Sequence, residues 1–463
     1  MTMKKVSAKA KKVVKGKAVG GRKQVVAAPQ VSQKIYDNYL AILKNELVVA
    51  LGCTEPIAIA YAGAKVREVL GAMPDHIKVY CSGNIVKNVK GVTVPNSGGG
   101  KGIDVAATLG VVGGTAAKEL AVLESVTPKD VAVCKKLLAK DFCECELIEN
   151  VANLYIVIHA TKGKHSAEVV IKDYHSNITK IVKDGKTIFS KEKAFEKKEQ
   201  TKFPDKNLLK VKDILAFADT VKIADVKAVL DQQIKYNTAI AKEGLRHAYG
   251  AEVGRTLLKA YDRKNVNIRA RAKAAAGSDA RMSGCSLPVV INSGSGNQGI
   301  TASVPVIEYA KDLKVGKTAL YRALVVSNLI AIHQKRFIGS LSAYCGAVSA
   351  ACGSGAGIAY MMGMNYESIC NVITDSITNI GGMVCDGAKP SCAAKIAVAV
   401  ETALLALELS RHQHVFRSGE GLVKDDIEKT IASVGRVGRV GMKSTDVEIL
   451  NIMLDKIQLT DKQ

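Results

Sequence analysis

Apolar positions recur at helical spacing over residues 30–70 (Ile35, Leu40, Leu43, Leu47) and break at Leu51-Gly52-Cys53-Thr54-Glu55-Pro56, where a turn precedes a run of small residues. This turn predicts a helix N-terminus at or near Cys53. Residues 77–94 alternate as strands do, interrupted at Ser82-Gly83-Asn84, and lead into a glycine-rich loop over 95–102. Residues 141–190 hold short β-like runs (154–160, 167–173, 178–182) separated by turn formers such as Asp184-Gly185. The charged segment 191–206 reads as a linker or solvated loop, and beyond it the period is helical, with long stretches at 211–241, 313–332 and 393–409. The predicted class is α+β. It comprises a basic tail (1–30), an N-terminal α/β region (31–140), an inserted β-rich subdomain with linker (141–206) and a mainly helical domain (207–463).

A chain of 463 residues, 48% hydrophobic, can bury a substantial core. Eleven cysteines form an odd set in a chain too large for a disulfide scaffold, with no signal segment, so reduced thiols in a cytoplasmic setting are expected. The longest charge-free stretch, 337–366, is rich in Gly, Ser and Ala and too weakly hydrophobic for a membrane span. The formal charge is +23, but no acid precedes Asp37 while Lys4, Lys5, Lys9, Lys11, Lys12, Lys15, Lys17, Arg22, Lys23 and Lys34 do. Such a tail lacks the apolar content to offset its ordering entropy and is expected to be disordered. Nucleic acid is expected as a partner only through this tail, and a transit peptide would carry more Arg and Ser.

Cys385 and Cys392 are separated by six residues, with Gly381, Gly382 and Gly387 beside them, downstream of Cys345. Thiolates select zinc, copper(I) or iron–sulfur clusters. Structural zinc usually takes closely spaced cysteine pairs, and no C-x2-C occurs here, whereas a cluster tolerates a short loop carrying two ligands with the third remote. Three ligands would leave one iron open as a Lewis acid. The competing reading is three buried small hydrophobes. Cys53, at a helix start, is a candidate thiolate because backbone N–H groups and the helix dipole lower a thiol pKa. Zinc at Cys143, Cys145, His159, His165 and His175 is disfavoured, since strand-face histidines are usually just exposed. His333, Lys335 and Arg336 could supply an acid or base but read more simply as helix-end and surface groups.

Gly294-Ser295-Gly296-Asn297-Gln298-Gly299 satisfies G-x-G-x-x-G. Pro305 should interrupt the helix it would open, and residues 319–326 carry no acid for a ribose, so a dinucleotide is disfavoured. Asn292, Ser293, Ser295, Asn297 and Gln298 instead suggest a small polar ligand. The 95–102 loop is not a Walker A sequence, but Asn96, Ser97 and Gly98 could cradle a carboxylate.

Taken together, Gly52-Cys53-Thr54-Glu55-Pro56, Pro95-Asn96-Ser97-Gly98-Gly99, the loop from Asn292 to Gly299, Cys345-Gly346 and Cys385-Asp386-Gly387-Ala388-Lys389-x-x-Cys392 resemble the L-cysteine desulfidase family. That family is related to the α domain of iron–sulfur L-serine dehydratases, and the match spans residues 32–454. The resemblance implies a [4Fe-4S] cluster on Cys345, Cys385 and Cys392, with one open iron. It also implies Cys53 as proton acceptor and β-elimination of L-cysteine without pyridoxal phosphate. Cys352, also beside a glycine, rivals Cys345 as the remote ligand. The loops carrying Asn96 to Gly98 and Asn292 to Gln298 are the expected substrate holders. An L-serine dehydratase is the runner-up, and a nucleic-acid-binding or scaffold protein with structural cysteines is the alternative of another class. Abundant small-residue helix suggests a homodimer.

Overall fold

The computed structural model describes residues 31–191, 204–339 and 341–456. The tail 1–30 and most of the charged 191–206 segment lie outside the described residues. Ser32 caps α1 (Gln33–Glu46), its hydroxyl accepting the Ile35 N–H, and the helical period buries Tyr39, Ile42 and Leu43. A short strand, β1 (Val49–Leu51), follows, and Cys53 is the N-cap of α2 (Thr54–Leu70). Helix α2 is buried almost all round. Its alanines keep it thin enough to lie between β4 (Tyr155–Lys162) and β5 (His165–Lys172) on one side and α4 (Ile103–Gly113) on the other.

Strand β2 (His76–Ser82) ends where the predicted break begins, but the chain continues as helix α3 (Gly83–Lys90) and not as a second strand. Ile85 and Val89, four residues apart, are the buried pair, and a short apolar run with that spacing suits either period. After α5 (Pro128–Leu138) come β3 (Cys143–Ile148), β4 (Tyr155–Lys162), β5 (His165–Lys172), β6 (Ile178–Lys183) and β7 (Lys186–Ser190). They join β2 in one sheet of order β3-β2-β4-β5-β6-β7, with β2 parallel to β3 and antiparallel to β4. Ile77, Val79, Ile156, Ile158, Val169 and Ile171 point from this sheet into one core with Ile57, Ala60 and Leu109.

The helical half follows as α6 (Val211–Thr220), α7 (Ile223–Arg246), α8 (Val253–Ala260), α9 (Val266–Met282), strand β8 (Pro288–Val290), α10 (Gly296–Asp312), α11 (Lys317–Ile338), α12 (Gly346–Met361), α13 (Tyr366–Asn379), α14 (Cys392–Arg411), α15 (Ile427–Arg436) and α16 (Lys443–Met453). Its core packs α11, α12, α13 and α14 through Leu324, Ile332, Ala351, Ile373, Val400 and Leu407. Within the charge-free stretch, Gly346–Met361 form the buried small-residue helix α12, and no helix among the described residues is long and apolar enough to cross a membrane. The two halves are joined by a two-stranded antiparallel ribbon, with Val49 opposite Val290 and Leu51 opposite Pro288. Pro305 lies inside α10 without ending it, contrary to the expected interruption. A dinucleotide fold is still unsupported on topology, since β8 pairs antiparallel with β1 and belongs to no parallel β-α-β unit.

Candidate functional site

The ribbon ends just ahead of two helix starts. Cys53 caps α2 and Ser295 caps α10. Cys345 caps α12, and Cys392 is the first residue of α14. None of these four helix starts is closed by a side-chain hydrogen bond from its capping residue, so the first-turn N–H groups are left for another partner. All four residues line one cavity of about 100 Å³, together with Glu55, His175, Arg281, Gln298, Lys335, Tyr344 and Cys385. Converging helix N-termini make such a space attractive to anions.

The sulfur end is built by a bridge and a loop. Tyr344 and Val384 form an isolated antiparallel bridge, with the Cys345 N–H on Met383 O at 2.9 Å and the Cys385 N–H on Ala343 O at 2.6 Å, which sets Cys345 and Cys385 side by side. A hydrogen bond from Cys345 favours the Cys385 thiolate despite burial, Lys87 and the Gly387 N–H assist, and its pKa falls to about 6. The same pairing, with burial, pushes Cys345 up. Asp386 ties the loop to Lys389 and Lys395. Gly387, at φ +94°, lies so close to Lys87 that a Cβ there would stand 2.3 Å from the Lys87 carbonyl oxygen, so the loop takes this path only with glycine.

Among the described residues no three His, Cys, Asp or Glu side chains converge tightly enough to hold a single metal ion. The thiols of Cys345, Cys385 and Cys392 border one cavity from separate elements, a soft-donor set of the kind that fits a polynuclear iron–sulfur group. Cys352 does not line it: its sulfur is buried within the helices, 3.2 Å from Gln334 Nε2.

The start of α2 carries the acid–base groups, with Cys53 in one small cluster with Cys392. Cys53 sits at the expected helix start, 2% exposed, yet its pKa is raised well above the ordinary thiol value, contrary to expectation. Burial is the main cause, the Glu55 carboxylate adds to it, and Arg281 opposes it. The thiol donates to Glu55 Oε2 at 2.9 Å, Thr54 Oγ1 approaches the same oxygen at 3.1 Å, and His175 Nε2 stands 3.6 Å from Oε1, an ion-pair contact longer than a hydrogen bond. Burial resists ionisation of Glu55, but His175 and Cys53 outweigh it and hold the carboxyl down to about 2.

Of the expected substrate holders, Ser293, Ser295, Asn297 and Gln298 line the cavity. Asn292 lies behind them, fully buried and bonded to Asn328. Asn96, Ser97 and Gly98 are not brought to the cavity: Asn96 donates to Leu123 O, Ser97 closes its own turn on Val94 O and Gly100 O, and Gly98 takes the left-handed turn position. His333 is buried on Glu428, 2.7 Å away, outside the cavity, whereas Lys335 lines it and is buried, not a surface group. Burial lowers the Lys335 pKa to about 8 against the opposing pull of Cys385 and Cys345.

A family model for the serine dehydratase alpha chain matches residues 117–451. The chain belongs to the serine dehydratase alpha chain family. Similar proteins include a UPF0597 protein of Desulfitobacterium hafniense, 51% identical over 91% of this chain and 98% of its own length. Others are from Lachnoclostridium phytofermentans, 52% identical over 91% of this chain and all of its own, and Finegoldia magna, 47% identical over 90% and all of its own. Within this serine dehydratase alpha chain fold, Glu55, His175 and Arg281 line the site without having been assigned roles from sequence. Glu55 lay within the recognised motif. His175 follows β5 in a turn that the sheet carries to Gly294, and no local pattern encodes that placement. For Arg281 the available signal was its place, with Asp279, in the small-residue end of α9, which is buried throughout.

Proposed function

We propose that this family member is an iron–sulfur lyase that removes the β-substituent of a small L-amino acid, with L-cysteine as substrate. The products would be pyruvate, ammonia and hydrogen sulfide. The reading is carried by one observation: Cys345, Cys385 and Cys392 border the same cavity as the Cys53–Glu55–His175 group. The serine dehydratase alpha chain family is iron–sulfur dependent in general, and here Cys345, Cys385 and Cys392 would hold the cluster. When bound, it supplies a Lewis-acidic iron with an open position that assists departure of the β-substituent.

The remaining chemistry falls to the chain. Cys53, in the same small apolar cluster as Cys392, is the group to accept the Cα proton, and it must first lose its own. Glu55 accepts from it and His175 stands beyond, leading to a second cavity of about 270 Å³ lined by Glu46, Asp173, Lys206 and Arg336. The aminoacrylate released by elimination tautomerises and hydrolyses without further help. Self-association as a homodimer is part of the same proposal and is read by light scattering.

Anaerobically reconstituted protein should release sulfide from L-cysteine faster than it forms pyruvate from L-serine. A clear preference for serine would make the protein an L-serine dehydratase, on the same machinery. Absence of both activities in iron-loaded protein would reject the lyase reading.

A further inference from the structure

We infer that Arg281 and Gln298 recognise the backbone end of the substrate, the guanidinium taking the α-carboxylate and Gln298 Oε1 accepting from the α-ammonium. The inference deepens the lyase reading and rests on it for the kind of molecule bound.

Arg281 is 2% exposed, and its contacts are to neutral oxygens: Nε to Gly52 O at 2.9 Å and Nη1 to Asn297 Oδ1 at 3.1 Å. Among the described residues no carboxylate lies within ion-pairing distance of it. A buried guanidinium without a counter-ion is unusual, and its remaining N–H donors, at the cavity wall, match a carboxylate in shape and charge. The carboxylate that lines the cavity, Glu55, accepts from Cys53 and faces His175, so the Arg281 charge is left for a ligand.

Gln298 supplies the second, independent observation. It is 7% exposed and lines the cavity, and its Oε1 has no donor. Buried carbonyl oxygens are rarely left so. Its amide packs directly on Gly346, next to Cys345, where a Cβ would stand 2.5 Å from Gln298 Cδ. An anion reader bonded to Asn297 and an acceptor for a cationic donor on the next residue, Gln298, define a free α-amino acid. Esters, amides and decarboxylated amines are excluded as substrates.

The test uses binding, because L-alanine has no leaving group to be eliminated. Calorimetric titration of the full chain, isolated and iron-loaded under nitrogen, should show L-alanine binding at least about 30-fold more tightly than L-alaninamide. Arg281→Gln should lose that preference, and Arg281→Lys should retain part of it. Gln298→Leu should weaken L-alanine but not propionate, which has no ammonium group. If Arg281→Gln does not fold, the wild-type comparison decides alone. Equal affinity for L-alanine and its amide, or no measurable binding of L-alanine, overturns the inference. Retained preference in a protein that makes neither sulfide nor pyruvate would sink the lyase reading and leave the recognition intact.

Discussion

Cys53 Sγ lies 2.9 Å from Glu55 Oε2, with the sulfur as donor and the carboxylate as acceptor, so in the resting protein the proton sits on sulfur. The helix start that would lower the thiol pKa is overruled by burial and a neighbouring negative charge.

The sign of the pH dependence follows from this pairing. Thiolate is the active form and its pKa is raised, so activity should climb as pH rises through neutrality. Glu55→Gln removes the charge and acceptor that raise it. The acidic limb of the pH–rate profile should then move to lower pH, and Cys53 should alkylate faster at neutral pH by site-resolved mass spectrometry. With the proton route cut, kcat should still fall roughly 10²- to 10⁴-fold. An unmoved limb would mean that Cys53 is not the titrating group.

Loss of any one sulfur at the cavity should release the metal. Cys345→Ala, Cys385→Ala and Cys392→Ala, purified anaerobically and reconstituted, are expected to lose bound iron and visible absorption. Cys352→Ala should keep both and cost only about 1 kcal/mol in denaturant unfolding. A wild-type protein that remains colourless after reconstitution would refute the cluster.

Gly346 separates a sulfur ligand from the amide of Gln298, and a Cβ there would meet Gln298 Cδ at 2.5 Å. Gly346→Ala should lower stability by about 1–3 kcal/mol as the amide is pushed aside. The KM for L-cysteine should rise while iron content holds, a split that separates a displaced substrate group from a broken cluster site.

Asp375 is buried in α13 with Oδ1 accepting the Phe416 N–H at 3.1 Å and Oδ2 without a partner. Burial raises its pKa to about 6, the Phe416 N–H opposing. The folded state thus holds this proton more tightly than the unfolded one, and stability falls as pH rises from about 4 to about 6. Asp375→Asn should gain about 1–3 kcal/mol above that window and nothing below it, read as Tm at pH 8 and pH 4.

Local pattern carried much of the helical half and the short strands, because apolar period and turn residues are written along the segment itself. The stretch 211–241 resolved into two helices parted at Val221 and Lys222, and the helix expected over 393–409 runs from Cys392 to Arg411. Residues 83–90 misled because Ile85 and Val89 suit a strand as well as a helix. At the site, the cysteines were legible since their chemistry is rare and their spacing distinctive. Asn96 and Ser97 drew notice as polar turn residues and are spent on the turn. His175 was misread because a strand-end histidine is ordinary in one dimension, and sheet order alone delivers it to Glu55. Lys335 and Arg281 sit on helices whose burial depends on what packs around them.

The three-residue ribbon of β1 on β8 also sets an order of events. Cys53 leaves the ribosome long before Pro288 and Val290 exist to pair with its flanking strand, and the sulfur ligands come later still. Non-local pairings of this kind form late. The cysteines of the sulfur end are made after both ribbon strands, so a growing chain holds Cys53, Glu55 and His175 before it holds those thiols. Iron-binding sulfur therefore emerges onto a chain whose ribbon can already close.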